Sequence, residues 1–138
     1  MRAILATVIL LAAAAPAAAQ TTGADASGPA LLSIKMTGTK ADASKFVGTW
    51  KGNTDCPKLG SWSFVISIEP SGSSYSAKAS KDSGGVYREI AFKGDQITLV
   101  YSTVWKDASY VGRLVSPGRV EGTVRIQTDC TWYLTKQP

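Results

Sequence analysis

From Phe46 onward the chain is written in short runs of alternating apolar and polar residues, each cut by a turn signal. In SWSFVISIE (61–69), Trp62, Phe64, Ile66 and Ile68 fall on one side, and Ser63, Ser67 and Glu69 on the other. A period of two predicts a strand with one buried face and does not fit a helix. PSGS (70–73) predicts a turn, then SYSAKAS a strand and DSGG (82–85) a second turn. In the strand that follows, Val86, Arg88, Ile90 and Phe92 share the inward parity, with Tyr87 and Glu89 opposite. KGD (93–95) closes a hairpin into QITLVYS. The strands SYVGRLV, VEGTVRIQ and CTWYLTK complete the series, separated by a WKDA loop, the turn SPGR (116–119) and a hairpin at Thr128-Asp129.

With FVGTWKGNT (46–54) as the first, the count is eight strands joined by short loops. Short loops make sequential neighbours antiparallel. An open meander leaves two unpaired edges, and closure removes both. The expected fold class is therefore all-β: an eight-stranded antiparallel up-and-down barrel closed by pairing of its first and last strands. A barrel of that size is either filled by its own side chains or holds one small ligand.

A repeated phrase supports the closure. GTWKGNTDC (48–56) and GTVRIQTDC (122–130) share Gly-Thr, a base and Thr-Asp-Cys, and their last residues are the chain's two cysteines, Cys56 and Cys130. The repeat reads either as internal duplication or as coincidence between two β-prone stretches. In both cases, setting Cys56 opposite Cys130 places Trp50 across from Lys136 and Gly52 across from Leu134. It also puts Phe46, Trp50, Cys56, Cys130, Trp132 and Leu134 on one face. A disulfide there would fasten the first strand to the last and contribute about 4 kcal/mol by chain entropy, less any strain.

Ahead of the barrel the texture differs. MRAILATVILLAAAAPAAA (1–19) has a base at Arg2, an apolar run, Pro16 and a small-residue cleavage site, the pattern of a secretory signal peptide. The run is too short for a membrane anchor, which needs about 20 apolar residues. Residues 20–44 are rich in Ala, Ser, Thr and Gly and read as a flexible leader, with LLSIKM (31–36) as a stray strand or docking segment and ADAS before Phe46 as a single helical turn. The barrel domain is expected over 45–138. Export to the periplasm or out of the cell favours pairing of the two cysteines.

Charge and composition then exclude some chemistry. The sequence has 15 bases and 10 acids; loss of Arg2 with the signal leaves 14 against 10, a net charge of +4. The bases are dispersed, which argues against a nucleic-acid surface. There is no histidine, so no Ser-His-Asp or Cys-His mechanism exists in this chain, and no enzyme activity, cofactor or metal centre is expected.

Gly48-Thr49-Trp50, following the ADAS turn, resembles the G-x-W signature of calycin barrels, the group that includes lipocalins, fatty-acid-binding proteins and avidins. The resemblance implies that Trp50 closes one barrel end beneath a base from the last strand. The cysteine register independently offers Lys136 for that role. A cation over an indole face contributes about 0.5–2 kcal/mol. The lipocalin T-D-Y motif is absent. Periplasmic inhibitors of bacterial metalloproteases share the small-barrel plan, although their disulfide usually joins closer cysteines.

For ligand binding, the inward set is Trp62, Phe64, Tyr75, Phe92, Tyr101, Tyr110 and Trp132, with Arg88 as a partner either for a ligand carboxylate or for a buried acid. The same rings are also able to fill the barrel and leave no cavity. Asp55 and Asp129 are expected at one rim, where paired carboxylates act as acid and base or hold a cation, or simply cap turns. Trp105-Lys106-Asp107 is expected in a loop that contacts a partner or folds over the barrel mouth. The leading expectation is an exported lipocalin-like binding protein for a small apolar or amphipathic molecule. The alternative is a protein-binding module, such as an inhibitor of an envelope hydrolase, acting through a rim loop such as 56–60 or 103–109 and the flexible leader.

Overall fold

The structure, a computed structural model, describes residues 30–81 and 84–138. The signal peptide expected over 1–19 and the start of the expected leader lie outside the described residues. Nine strands and one short helix form a small all-β closed barrel: β1 (Leu31–Thr37), α1 (Lys40–Ser44), β2 (Gly48–Cys56), β3 (Gly60–Ser71), β4 (Ser74–Ser80), β5 (Val86–Lys93), β6 (Gln96–Ser102), β7 (Asp107–Ser116), β8 (Arg119–Ile126) and β9 (Thr128–Lys136). From β2 to β4 and from β5 to β9 consecutive strands pair antiparallel, as short loops require.

The seam between β2 and β9 has the expected register, with Trp50 opposite Lys136 and Gly52 opposite Leu134. Cys56 and Cys130 form a disulfide across it, 74 residues apart in sequence and 4.4 Å between Cα atoms. The two TDC stretches are not equivalent in the fold. The first is one continuous strand, whereas the second leaves β8 at Ile126, turns at Gln127 and ends in β9. Duplication is therefore not visible in the architecture, and the last turn falls at Gln127 instead of Thr128-Asp129.

Closure differs from the eight-stranded antiparallel expectation. β4 and β5 do not form a hairpin ladder; a single bridge, Lys81 to Val86, joins them. β1, within the segment read as leader, fills the gap. Leu31–Ile34 pair antiparallel with Ser80–Ala77 of β4, and Lys35–Thr37 pair parallel with Glu89–Ala91 of β5. Parallel pairing needs a long connection, here everything between β1 and β5, so no local turn signal announces it. In β1 only Ile34 and Met36 pack against the core, and both are partly buried. The polar composition around this weak alternation hides it among leader residues.

A second departure lies in β5, whose ladder with β6 shifts between Tyr87 and Glu89. An extra residue in one strand turns the side chains before it to the other face. Tyr87 is consequently buried, and Arg88, expected inside, is exposed on the outer surface.

The interior matches large rings to small partners, as small barrels require. Phe64 lies over Gly52, its cross-strand neighbour, at a distance that would make any Cβ collide with the ring. Around the rings, Ile66, Ile68, Ile90, Ile97, Leu99, Val120 and Leu134 are fully buried. One end is sealed by α1. Thr39 caps the helix by accepting a hydrogen bond from the Asp42 N–H at 3.0 Å, Ala43 packs inward, and Lys45 pairs with Asp95 of the β5–β6 turn at 3.2 Å. Phe46 packs against Phe92 with the rings tilted and 4.8 Å between centroids, and the Trp50 indole N–H donates to the Phe46 carbonyl at 2.8 Å. Lys136 Nζ stands 5.9 Å from the Trp50 ring centroid. Trp50 and Lys136 thus lie together at the sealed end.

Candidate functional site at the barrel mouth

The opposite end is formed by the β2–β3, β6–β7 and β8–β9 connections and by Gly84 ahead of β5. It encloses an open recess of about 540 Å³. Leu59, Trp62, Tyr101, Val104, Trp105 and Ile126 supply its apolar wall. Each arrives by a local cause. Alternation along β3 and β6 turns Trp62 and Tyr101 inward, where their rings stack at 6.4 Å and 26°. Leu59 rides on a turn closed by its own N–H bonding to the Cys56 carbonyl at 3.1 Å, beside the buried disulfide. Gln127, also on the wall, takes φ 61° in the one-residue connection between β8 and β9. A non-glycine residue held in that region costs about 1–3 kcal/mol.

Val104 and Trp105 stand at the tip of the β6–β7 loop, 88% and 83% exposed. The loop is held in shape by Thr103. Its N–H and hydroxyl both donate to the Lys106 carbonyl at 3.0 Å, and its Oγ1 accepts from the N–H groups of Trp105 and Lys106 at 3.1 and 3.2 Å. The indole is therefore presented to solvent by an ordered turn.

Beneath the recess the rings meet one another. Tyr87 lies 4.8 Å from Tyr101 and 4.7 Å from Phe64, and Tyr110 lies 5.3 Å from Trp132. The Thr54 and Tyr110 hydroxyls share a buried hydrogen bond of 2.9 Å, and Trp132 donates to the Thr123 carbonyl at 3.1 Å. Trp62 Nε1 is buried with no hydrogen-bond partner among the described residues. Such a group carries a desolvation cost of about 1–3 kcal/mol.

The expected ligand set is thus distributed over the barrel instead of gathered. Trp62 and Tyr101 reach the recess; Phe64, Tyr110 and Trp132 belong to the ring stack below it. Phe92 is at the sealed end, and Tyr75, beside the β3–β4 turn, is partly buried against the core. Arg88 faces outward and binds Ser102 Oγ at 3.2 Å and Asp107 at 3.7 Å. Asp55 and Asp129 serve their own neighbours: Asp55 accepts from Ser61 at 2.8 Å, and Asp129 pairs with Arg125 at 2.7 Å. Sequence reasoning missed Ile126 and Tyr87, and reached Leu59 only as part of a rim loop for a protein partner. Loop and strand-end positions carry no periodic signal, and a bulge erases the parity of Tyr87.

Comparison with protein-family models, curated proteins and solved structures gives no match. The disulfide fits an oxidising compartment. Among the described residues no helix is long and apolar enough to cross a membrane.

Proposed function

We propose that this is an exported, calycin-like binding protein that takes a small apolar or amphipathic molecule at the mouth of its barrel. The observation that carries the reading is the apolar recess of about 540 Å³ over the Trp62–Tyr101 stack. Its size lies within the range of roughly 300–1,000 Å³ common to small-molecule sites. The interior below is occupied by contacting rings, so the ligand sits above Trp62 and Tyr101 and not at the barrel centre. Leu59, Val104 and Ile126 cover its apolar part. An acceptor oxygen on the ligand satisfies Trp62 Nε1 once the indole tilts toward the recess. The calycin assignment draws on Gly48-Thr49-Trp50 and the Lys136 contact; the export assignment draws on residues 1–19 and the disulfide.

Titration with anilinonaphthalene sulfonate, followed by dye emission and by quenching of tryptophan emission, tests the reading. Saturable binding should weaken about tenfold in Trp62→Leu, a loss of about 1.4 kcal/mol. Tyr75→Leu, distant from the mouth, should bind as the parent does. A dye response absent from the parent, or equal in the parent and Trp62→Leu, removes the proposal.

A further inference from the structure

A small ligand in the recess does not need Val104 and Trp105 to project beyond it into water. The Thr103 hydrogen bonds hold this pair outward, and Leu59, 43% exposed, adds a third apolar side chain at the same end. Lys58 precedes Leu59 in the β2–β3 turn, Lys106 follows Trp105, and Lys81 ends the β4 side of the rim. None of the three lysines has an acidic partner among the described residues. Among the described residues the rim acids are engaged: Asp107 with Arg88, Asp129 with Arg125, and Asp55 with the Ser61 hydroxyl.

We propose that this rim docks onto an anionic lipid bilayer. Val104 and Trp105 enter the boundary between headgroups and acyl chains, while Lys58, Lys81 and Lys106 rest against headgroup phosphates. Tryptophan favours that boundary because its ring is apolar and its N–H finds acceptors there. Lysines next to an inserted tip add attraction to an anionic surface. The geometry suits a bilayer better than a folded protein. A stable protein interface covers about 800 Å² on each side, whereas the exposed apolar tip here consists of Val104 and Trp105 on one loop, with Leu59 at the same end. Docking does not require a ligand in the recess, although Leu59, Val104 and Trp105 belong to both surfaces.

The test uses protein purified after export from an expressing bacterium and vesicles of equimolar phosphatidylcholine and phosphatidylglycerol, with pure phosphatidylcholine as the second arm. At low ionic strength the protein should sediment with the anionic vesicles, and the emission difference between parent and Trp105→Ala should move to the blue. Trp105→Ala, with unchanged thermal stability, should partition at least about tenfold more weakly. Lys58→Gln and Lys106→Gln should each cost about fivefold on anionic vesicles, and raised salt should weaken the parent similarly. Failure of the parent to sediment, or equal sedimentation of Trp105→Ala, overturns the proposal while leaving dye binding as its own result. A shift in the Trp105 emission difference on adding a purified envelope protein, without vesicle binding, also overturns it and assigns the tip to a protein partner.

Discussion

The two ends of the barrel are built from the same materials and use them in opposite ways. At the sealed end, Phe46 and Trp50 are buried beneath α1, and a lysine lies against the indole. At the mouth, Trp105 stands in water beside a lysine, with Thr103 holding it there. An aromatic residue next to a base thus lies within the fold at one end, and at the other leaves apolar surface exposed to water. Burial and hydrogen bonding distinguish the two cases, and residue type does not.

That contrast can be broken most forcefully at Trp50. Trp50→Ala should cost about 3–5 kcal/mol, read as a lower urea midpoint, because it empties a fully enclosed site and frees the Phe46 carbonyl. A loss below 1 kcal/mol would mean that the sealed end does not support the fold as described. Reducing the disulfide, or replacing both cysteines with serine, should lower stability by about 2–4 kcal/mol without abolishing barrel circular dichroism. Next in size is Lys136→Met, which removes the cation but keeps the stem over Gly48 and the indole; chemical denaturation should show a loss of about 0.5–1 kcal/mol. Trp105→Ala should be the smallest, within about 0.5 kcal/mol of the parent in the same assay. A large loss there would show that the mouth indole helps to hold the fold together and would erase the difference between the ends.

Much of the barrel was legible because alternation is a strong signal wherever a sheet has one wet face. The strands from β2 to β9 lie within a few residues of the runs that predict them. The β2–β9 register follows from two cysteines and parity alone. Three features escaped for physical reasons. β1 pairs with strands distant in sequence and buries only parts of Ile34 and Met36, so its pattern is faint. The β5 irregularity exchanges the faces of Tyr87 and Arg88, and nothing in VYREIAF marks it. The mouth is assembled from turns, and a turn's sequence reports its bend without reporting what it adjoins. Trp105 was readable as a loop residue; its neighbours Leu59, Trp62 and Ile126 became neighbours only through closure.

The placement of β1 also governs the order in which the wall can be completed. Synthesis delivers Leu31–Thr37 before the other described strands, yet its two hydrogen-bonding neighbours end at Ser80 and begin at Val86. Until β5 has emerged, the earliest strand has only water along one side. Ring completion therefore waits for the middle of the polypeptide, and the sulfur clasp waits for its far end, so assembly depends on two late, long-distance meetings and should be slow for a protein of this size.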